Sequence, residues 1–422
     1  MDCCRAGSRW GGAASRLTLP CLKAEDSFLA STCDAGFRQS DFWRVIPSIC
    51  CSGIKIENGA GLWASAILFW AVEGGMLGIP FPPWLVARTG AAISAGNYLH
   101  QHFVRFIRMC HGRRLRWLLV FLALYVVVCT IGGVYVADGS LHPGRRAMTE
   151  EEVTAFKKTL RMMAADLQDV SVMTSDHVVL RGWLLRPAHS NGDAALLLHG
   201  LADNRIGMAG YARLLLAHGY TVLLPDARAH GVSGGAVATF GLLEREDIHD
   251  WADFLSTEAH PRCLFGMGES MGAAQLLQAL ETESRFCAVV AESAFSTFQE
   301  IAYDRMGQPF HLGAWVGRTV LRPLVGVAFL RARWKYGLTM GEVSPEAAVA
   351  SSQVPVLLIH GQIDGNVPVR HSRAIHARAP RTVLWEVPGA DHCGALAVAP
   401  DEFERRIVAW FGQSAVMSQK VH

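Results

Sequence analysis

Residues 262–282 read RCLFGMGESMGAAQLLQALET, and this stretch decides the fold. The apolar run CLFGM is typical of a buried strand, and MGAAQLLQAL has the apolar spacing of a helix. Gly268 and Gly272 flank Ser270 in the turn between them, where larger side chains would collide. Such a turn raises Oγ of Ser270 above the strand end, and the helix directs its free N–H groups toward developing negative charge. The stretch predicts a strand–turn–helix unit that presents Ser270 as a nucleophile.

A second Gly-x-Ser-x-Gly match, at 231–235, lacks this context. It follows Asp226-Ala-Arg-Ala-His230 rather than an apolar strand, and no clear helical pattern comes next. Because so short a motif also arises by chance, the surrounding pattern has to decide between the two matches. We interpret Ser233 as a loop serine.

Apolar runs alternate with helical segments on both sides of the Ser270 unit. The strand-like runs are 194–199, 220–226, 262–268, 287–293, 354–360 and 382–387. The helical segments are 150–168, 207–218, 243–257, 271–282 and 400–412. Two further runs, 169–174 and 178–185, suggest a hairpin. Continuous apolar strands between amphipathic helices predict an α/β domain with a mostly parallel sheet, covered by helices on both faces.

A serine hydroxyl is a weak nucleophile until a base takes its proton, and a third group must orient that base. Asp364 and His392 each follow a predicted strand, in the sequences LIHGQIDGNVP and GADHCG. In open parallel sheets, catalytic and ligand-binding residues usually lie just beyond the carboxyl ends of the strands. We therefore predict that Ser270, Asp364 and His392 form a Ser-Asp-His triad.

Other polar residues near these positions are weaker candidates. Asp391 adjoins His392, but neighbouring side chains rarely face each other. His360 ends a predicted strand and is interpreted as a packed structural residue. His371 and His376 fall on a predicted helix, where we expect them to be solvated.

Acyl transfer also needs two N–H donors for the oxyanion. The N–H of Met271, directly after the nucleophile, is one candidate. The second donor should come from the loop after the first run, LHGLA, where we choose Leu201.

Residues 295–350 interrupt the alternation with an insert that mixes large apolar residues and arginines. One interpretation is a helical cap over a pocket, which could lean on a membrane surface. The other is a plain helix pair packed on the edge of the sheet.

Residues 117–136, WLLVFLALYVVVCTIGGVYV, carry no charge and are long enough to span a bilayer core of about 30 Å as a helix. Five arginines precede this run within a few residues, and acids dominate the sequence after it. The positive-inside rule places everything after residue 137 outside the cytoplasm. A cleaved signal peptide is the alternative, but the run is long for one and the cleavage site is poor.

These patterns divide the chain into three parts. Residues 1–108 show no sustained period, and we leave two interpretations open: a disordered segment, or one that is not translated. Residues 109–137 form a basic flank and a membrane anchor. Residues 150–415 form the α/β domain, with the insert near 295–350.

Composition narrows the classes of function. The chain of 422 residues has 51% hydrophobic and 18% charged residues, which excludes a disordered protein. Its net charge of +2 gives no support for nucleic-acid binding. We interpret Cys263, Cys287 and Cys393 as ordinary small apolar residues, because their spacing fits neither zinc nor a disulfide framework.

From about 168 to 412 the chain resembles the α/β-hydrolase superfamily. The resemblance rests on His199-Gly200, the segment 226–235, Gly268-Glu-Ser-Met-Gly272, Asp364-Gly-Asn-Val-Pro368 and Gly389-Ala-Asp-His392. The chain looks most like the serine-hydrolase branch related to prolyl-oligopeptidase and dienelactone-hydrolase-type domains. Members often carry Gly where Ala229 stands. The resemblance implies the α/β-hydrolase fold, catalytic roles for Ser270, Asp364 and His392, and no metal or organic cofactor.

These observations predict a membrane-anchored serine hydrolase that cleaves an ester or related acyl bond through an acyl-enzyme. Its substrate would be a small or lipid-like acyl compound. A serine peptidase of aminopeptidase type on the same fold is one alternative, and a non-catalytic binding protein is another. The anchor and the absence of an organellar signal favour a bacterial inner membrane, with the domain in the periplasm.

Overall fold

One eight-stranded sheet forms the centre of the part of the chain that the computed structural model describes, residues 113–421. The interpretations of residues 1–108 and of the first part of the basic flank lie outside these residues. The strands are β1 (Asp166–Met173), β2 (Val179–Arg186), β3 (Ala194–Leu198), β4 (Thr221–Pro225), β5 (Leu264–Glu269), β6 (Phe286–Glu292), β7 (Val356–Gly361) and β8 (Val383–Val387).

The helices lie before, between and after these strands. They are α1 (Arg113–Leu141), α2 (Glu150–Met162), α3 (Ala209–Ala217), α4 (Glu244–Ala259), α5 (Ser270–Ala279), α6 (Phe298–Gly307), α7 (Ala314–Arg318), α8 (Arg322–Tyr336), α9 (Pro345–Ser351), α10 (Arg370–Arg378), α11 (Ala395–Val398) and α12 (Pro400–Val421).

The sheet has the order β1-β2-β4-β3-β5-β6-β7-β8. β1 and β2 form the expected antiparallel hairpin at one edge, and β2 also pairs antiparallel with β4. All the remaining pairs are parallel. The predicted fold, a mostly parallel sheet flanked by helices, is confirmed.

The continuous apolar strands are explained by two cores, one on each face of the sheet. All five residues of β3 are buried, and Leu196 and Leu197 point into opposite cores. Because side chains alternate along a strand, a sheet covered on both faces needs apolar residues at every position.

The site is positioned by a reversal in the strand order. The chain leaves β3 toward β4 on one side and then returns to β5 on the other side. At such a switch point the loops after the strands diverge and leave a crevice at their carboxyl ends. Ser270 follows β5 at this crevice.

The interpretation of Cys263 and Cys287 as unpaired apolar residues is wrong. The two cysteines form a disulfide, with their Cα atoms 5.7 Å apart. Cys263 directly precedes β5 and Cys287 lies in β6, so strand pairing brings them together across the intervening helix α5. Cys393 is unpaired and partly buried.

The apolar run near 117–136 forms α1, which extends beyond both predicted ends. Residues Leu115–Leu141 are long and apolar enough to cross a membrane, and only 11% of the most apolar window is buried. Its carboxyl half packs on α8 through Gly132 and Gly133, where an added Cβ would lie 2.9 Å from Leu324 and 2.7 Å from Val327. Glycine at these positions therefore permits close contact between the two helices.

A polar cluster fixes the far end of this helix pair. The carboxylate of Asp138 accepts hydrogen bonds from Tyr336 at 2.8 Å, Arg331 at 3.1 Å and Lys335 at 3.3 Å. The Asp138 cluster, as we call these four residues, ties the end of α1 to the last two turns of α8.

The insert forms α6, α7, α8 and α9. Residues of α6 and α8 line a cavity that also contains Ser270, so these two helices cover the site rather than only the edge of the sheet. This arrangement corresponds to the cap interpretation.

Candidate active site

The turn between β5 and α5 holds Ser270 in a strained conformation. Its φ is +51°, in the left-handed region that residues other than glycine rarely adopt. A Cβ on Gly272 would lie 2.4 Å from the carbonyl oxygen of Leu198, and one on Gly268 would lie 2.6 Å from the backbone of Gly272. Both glycines are thus required by close backbone contacts, as the sequence pattern predicts.

The structure brings Ser270, His392 and Asp364 into one hydrogen-bonded line. Nε2 of His392 lies 2.9 Å from Oγ of Ser270, and Nδ1 of His392 lies 2.8 Å from Oδ2 of Asp364. These distances permit His392 to accept the serine proton while the carboxylate orients the ring.

The carboxylate of Asp364 is buried and held by four contacts. Oδ1 accepts hydrogen bonds from the backbone N–H groups of Asn366 and Val367, at 2.9 and 2.8 Å. Oδ2 faces Nδ1 of His392, and Nε2 of His360 lies 3.3 Å away. Burial alone would raise the pKa of Asp364, but the hydrogen bonds from His360 and His392 outweigh it and hold the pKa well below its usual range. Asp364 is therefore ionised at neutral pH.

The loop that carries His392 is fastened to the end of β6. Cys393 N–H donates to Oγ of Ser293 at 3.2 Å, and Ala395 N–H donates to Oε1 of Glu292 at 3.0 Å. Ser293 and Cys393 both have positive φ, at +54° and +51°. Glu292 and Ser293 thereby position the loop that carries His392. The sequence alone assigns them no role in the site, although they end the predicted strand 287–293.

The competing residues have structural contacts. Ser233 is buried, and its Oγ donates to the carbonyl of Asp226 at 2.7 Å, as a loop serine would. Asp391 accepts from the N–H of Gly365 at 3.1 Å and so links the two loops that carry Asp364 and His392. Neither of them faces the ring of His392.

The three other histidines differ from one another. His360 is buried, and its Nδ1 lies 2.7 Å from Oγ of Ser372, so it is a packed residue that also contacts Asp364. The expectation that His371 is solvated is wrong: it is fully buried and lies 2.8 Å from Oδ2 of Asp304. His376 is half-buried against Thr382.

Leu201 and Met271, the candidate oxyanion donors, both line the cavity beside Ser270. Met271 is the second residue of α5, where a helix offers its N–H no internal partner. Among the described residues, neither backbone N–H donates a hydrogen bond. Both donors therefore remain available to an oxyanion at Ser270.

Residues 195–406 match the model of the alpha/beta hydrolase family. The chain belongs to this family. The Bacillus subtilis protein YqkD is 29% identical over 221 residues, which cover 50% of this chain and 68% of YqkD. The Escherichia coli K12 protein YfhR is 24% identical over 261 residues, 60% of this chain and 82% of YfhR.

Among solved structures, the chain is similar to the Pyrococcus furiosus esterase Pf2001. The two are 25% identical and align with a TM-score of 0.51, over 64% of this chain and 98% of that esterase. These matches support the superfamily, whereas the narrower branch related to prolyl-oligopeptidase stays a prediction.

The active-site cavity of this α/β hydrolase is apolar and has a volume of about 300 Å³. It is lined by the end of α1, by the cap helices α6 and α8, and by the loops around Ser270. The lining residues from α1 are Val136, Ala137, Ser140 and Leu141. Arg305 is the single charged residue in the lining of this cavity.

Two carboxyl groups lie near the nucleophile: Glu269, which is partly buried, and Glu292, which is fully buried. Glu269 accepts from the N–H of Gly200 at 3.3 Å, and Glu292 accepts from the hydroxyl of Tyr211 at 2.9 Å. Burial, reinforced by the nearby charge of Glu292, raises the pKa of Glu269 to about 7. Burial also raises the pKa of Glu292. At neutral pH this pair therefore carries less negative charge next to the oxyanion donors than two ionised carboxylates would.

No group of three or more potential metal-ligating side chains occurs within residues 113–421.

Proposed function

We propose that this α/β hydrolase is a membrane-anchored serine hydrolase that cleaves carboxylic esters or related acyl bonds. The observation that carries the proposal is the hydrogen-bonded line Ser270–His392–Asp364, in which Ser270 lines an apolar cavity. The similarity to the esterase Pf2001 supports the same reaction class.

Each residue has a step in this mechanism. His392 takes the proton of Ser270 as Oγ attacks the acyl carbonyl, and Asp364 stabilises the imidazolium and its tautomer. The N–H groups of Leu201 and Met271 hold the oxyanion. His392 then gives the proton to the leaving group, and a water molecule activated by the same histidine releases the acid from Ser270.

The cavity lining favours an acyl group over a peptide amino terminus. An aminopeptidase has to bind an ammonium group, and this calls for an acidic or carbonyl-rich subsite. Arg305, the charged residue in the lining of this cavity, is positively charged and would repel an ammonium group. The aminopeptidase alternative therefore gains no support from the cavity.

Three observations support an anchor with the hydrolase domain outside the cytoplasm. Helix α1 has the length and exposure of a spanning helix, and the basic residues precede it. The disulfide between Cys263 and Cys287 belongs to the domain that follows α1. Because disulfides persist in oxidising compartments, this bond favours the periplasmic side of a bacterial inner membrane.

A fluorophosphonate probe tests the proposed nucleophile directly. Membranes that contain the wild-type chain should be labelled and should hydrolyse p-nitrophenyl butyrate, and Ser270→Ala should abolish both signals. Ser233→Ala, in the other Gly-x-Ser-x-Gly match, is the matched control and should still be labelled. A folded wild type that neither reacts with the probe nor hydrolyses esters would favour the binding-protein alternative.

A further inference from the structure

Helix α1 is a wall of the active-site cavity as well as a candidate anchor. Val136, Ala137, Ser140 and Leu141, from its last two turns, line the same cavity as Ser270. Ala137 and Leu141 are buried there, although most of α1 is exposed. A helix that served only as a membrane tether would not need to line the cavity that contains Ser270.

The helix is held in this position along its length. The hydroxyl of Tyr125 donates to the carbonyl of Val320, just before α8. Gly132 and Gly133 then contact α8 at Leu324, and the Asp138 cluster closes the pair. Because these contacts advance together along both helices, α1 and α8 run side by side in the same direction.

This arrangement places the amino end of α8 beside the apolar part of α1. About 16 Å of helix separates Tyr125 from Val136, the end of the uncharged run, so Val320 contacts α1 well inside that run. Large apolar side chains are exposed on this part of the cap: Leu312, Trp315 and Val320. Arg318 and Arg322 are exposed beside them, so the surface mixes apolar and cationic side chains, as surfaces at a membrane interface do.

Helix α1 is therefore shared by the cavity that contains Ser270 and by the proposed membrane anchor. A long acyl chain that left the bilayer through water would lose favourable burial for each of its methylenes. An apolar cavity walled by the anchor reduces that loss, because the chain passes from lipid to apolar protein.

We propose that the substrate is a long-chain acyl ester lipid of the leaflet nearer the hydrolase domain, whose acyl chain enters the cavity beside the last two turns of α1. This inference rests on the proposed serine hydrolase. It adds that α1 contributes directly to substrate binding.

The experiment compares two Ala→Phe substitutions on one helix. Ala137→Phe fills the cavity wall, whereas Ala123→Phe places the same ring on the exposed face of α1. The full chain is reconstituted in phosphatidylcholine vesicles, and kcat/KM is measured for p-nitrophenyl butyrate in solution and for p-nitrophenyl palmitate in the vesicles. Ala137→Phe should lower the palmitate-to-butyrate ratio at least tenfold, and Ala123→Phe should leave it within twofold of wild type.

Ser140→Leu is a smaller change on the same wall and covers the case in which Ala137→Phe fails to fold. Its ratio should fall in the same direction, with fluorophosphonate labelling retained as evidence of an assembled triad. Unchanged ratios in both wall variants, or a wild type that hydrolyses butyrate and ignores vesicle-embedded palmitate, would overturn the inference alone. Loss of all ester hydrolysis and labelling in the wild type would instead overturn the proposed function.

Discussion

Glu269 lies between Gly268 and the candidate nucleophile. Burial and the nearby charge of Glu292 raise the pKa of its carboxyl group to about 7. The folded chain therefore holds this proton more tightly than the unfolded chain, in which the pKa is ordinary. Its contribution to stability is complete below about pH 4.5 and is lost as the pH rises through about 7.

Glu269→Gln should remove this pH dependence, because an amide does not titrate. Between pH 5 and pH 8, the free energy of unfolding of the variant should improve relative to wild type by up to about 3 kcal/mol. Denaturant unfolding in detergent micelles at the two pH values measures the difference. Parallel pH profiles for the two proteins would show that Glu269 is ionised throughout.

Asp364 and Asp391 form a matched pair for testing the orientation of His392. Asp364→Asn should lower kcat about 10³–10⁴-fold, because the amide favours the wrong tautomer of His392. Asp391→Asn changes a neighbouring carboxylate that does not contact the ring, and it should cost less than tenfold. Ester hydrolysis together with thermal unfolding measures both effects, and equal losses would mean that Asp364 has no special role.

At this scale the sequence could predict the residues that lie next to a strand end. Ser270, Asp364 and His392 each stand in a short loop directly after an apolar run, and the structure brings them together. The sequence does not predict the burial of His371, because that burial depends on Asp304 in the cap, 67 residues away along the chain. Nor does it predict the role of Glu292 and Ser293, because this role depends on hydrogen bonds to a loop about a hundred residues later.

At the scale of the elements, the disulfide joins the start of β5 to the start of β6, which are neighbours in the sheet. It closes a loop with a sequence separation of 24 residues. Loop-closure entropy gives such a bond a stabilising contribution of about 3 kcal/mol.

Cys287→Ser should therefore lower the free energy of unfolding by about that amount. Reductant should shift the wild type toward the variant and leave the variant unchanged. Cys393→Ala is the control: its unfolding should stay as sensitive to reductant as that of wild type. A wild type whose denaturation midpoint ignores reductant would contradict the pairing.

The contact between α1 and α8 depends on Gly133. Gly133→Leu places a branched side chain where even a Cβ lies 2.7 Å from the carbonyl oxygen of Leu324, so the helices must separate. We expect reduced activity on vesicle-embedded esters, and increased trypsin cleavage in α8 after Arg331 or Arg333. Gly139→Leu, where a Cβ would meet nothing within 4 Å, should leave the cleavage pattern unchanged. Identical patterns for the two variants would indicate that the helices are not in close contact.

Strand positions were predicted to within a few residues because their apolar runs are continuous. The helices at the ends of the domain were less well predicted. The helix expected at 150–168 ends at Met162, since β1 takes the following residues into the sheet. The sequence does not decide whether the insert is a cap or a helix pair at the edge of the sheet, because helical periodicity does not say which surface a helix covers.

At the scale of the whole molecule, the orientation in the membrane can be tested by labelling. Thr257 is exposed on α4, in the domain that follows α1. Thr257→Cys should react with a membrane-impermeant maleimide in intact cells, because the domain is proposed to lie outside. The wild type gives the background from the native cysteines. Labelling that requires permeabilised cells would reverse the orientation.

The Asp138 cluster ties α1 to the cap at the joint between helix and domain. In the proposed membrane-anchored enzyme this contact restricts the height and tilt of the domain, so the enzyme would meet a lipid substrate by lateral diffusion in two dimensions. Its velocity should follow the mole fraction of the ester within the bilayer, and diluting the vesicles with buffer should leave the turnover of each enzyme unchanged. Adding inert lipid to the same vesicles should slow it in proportion.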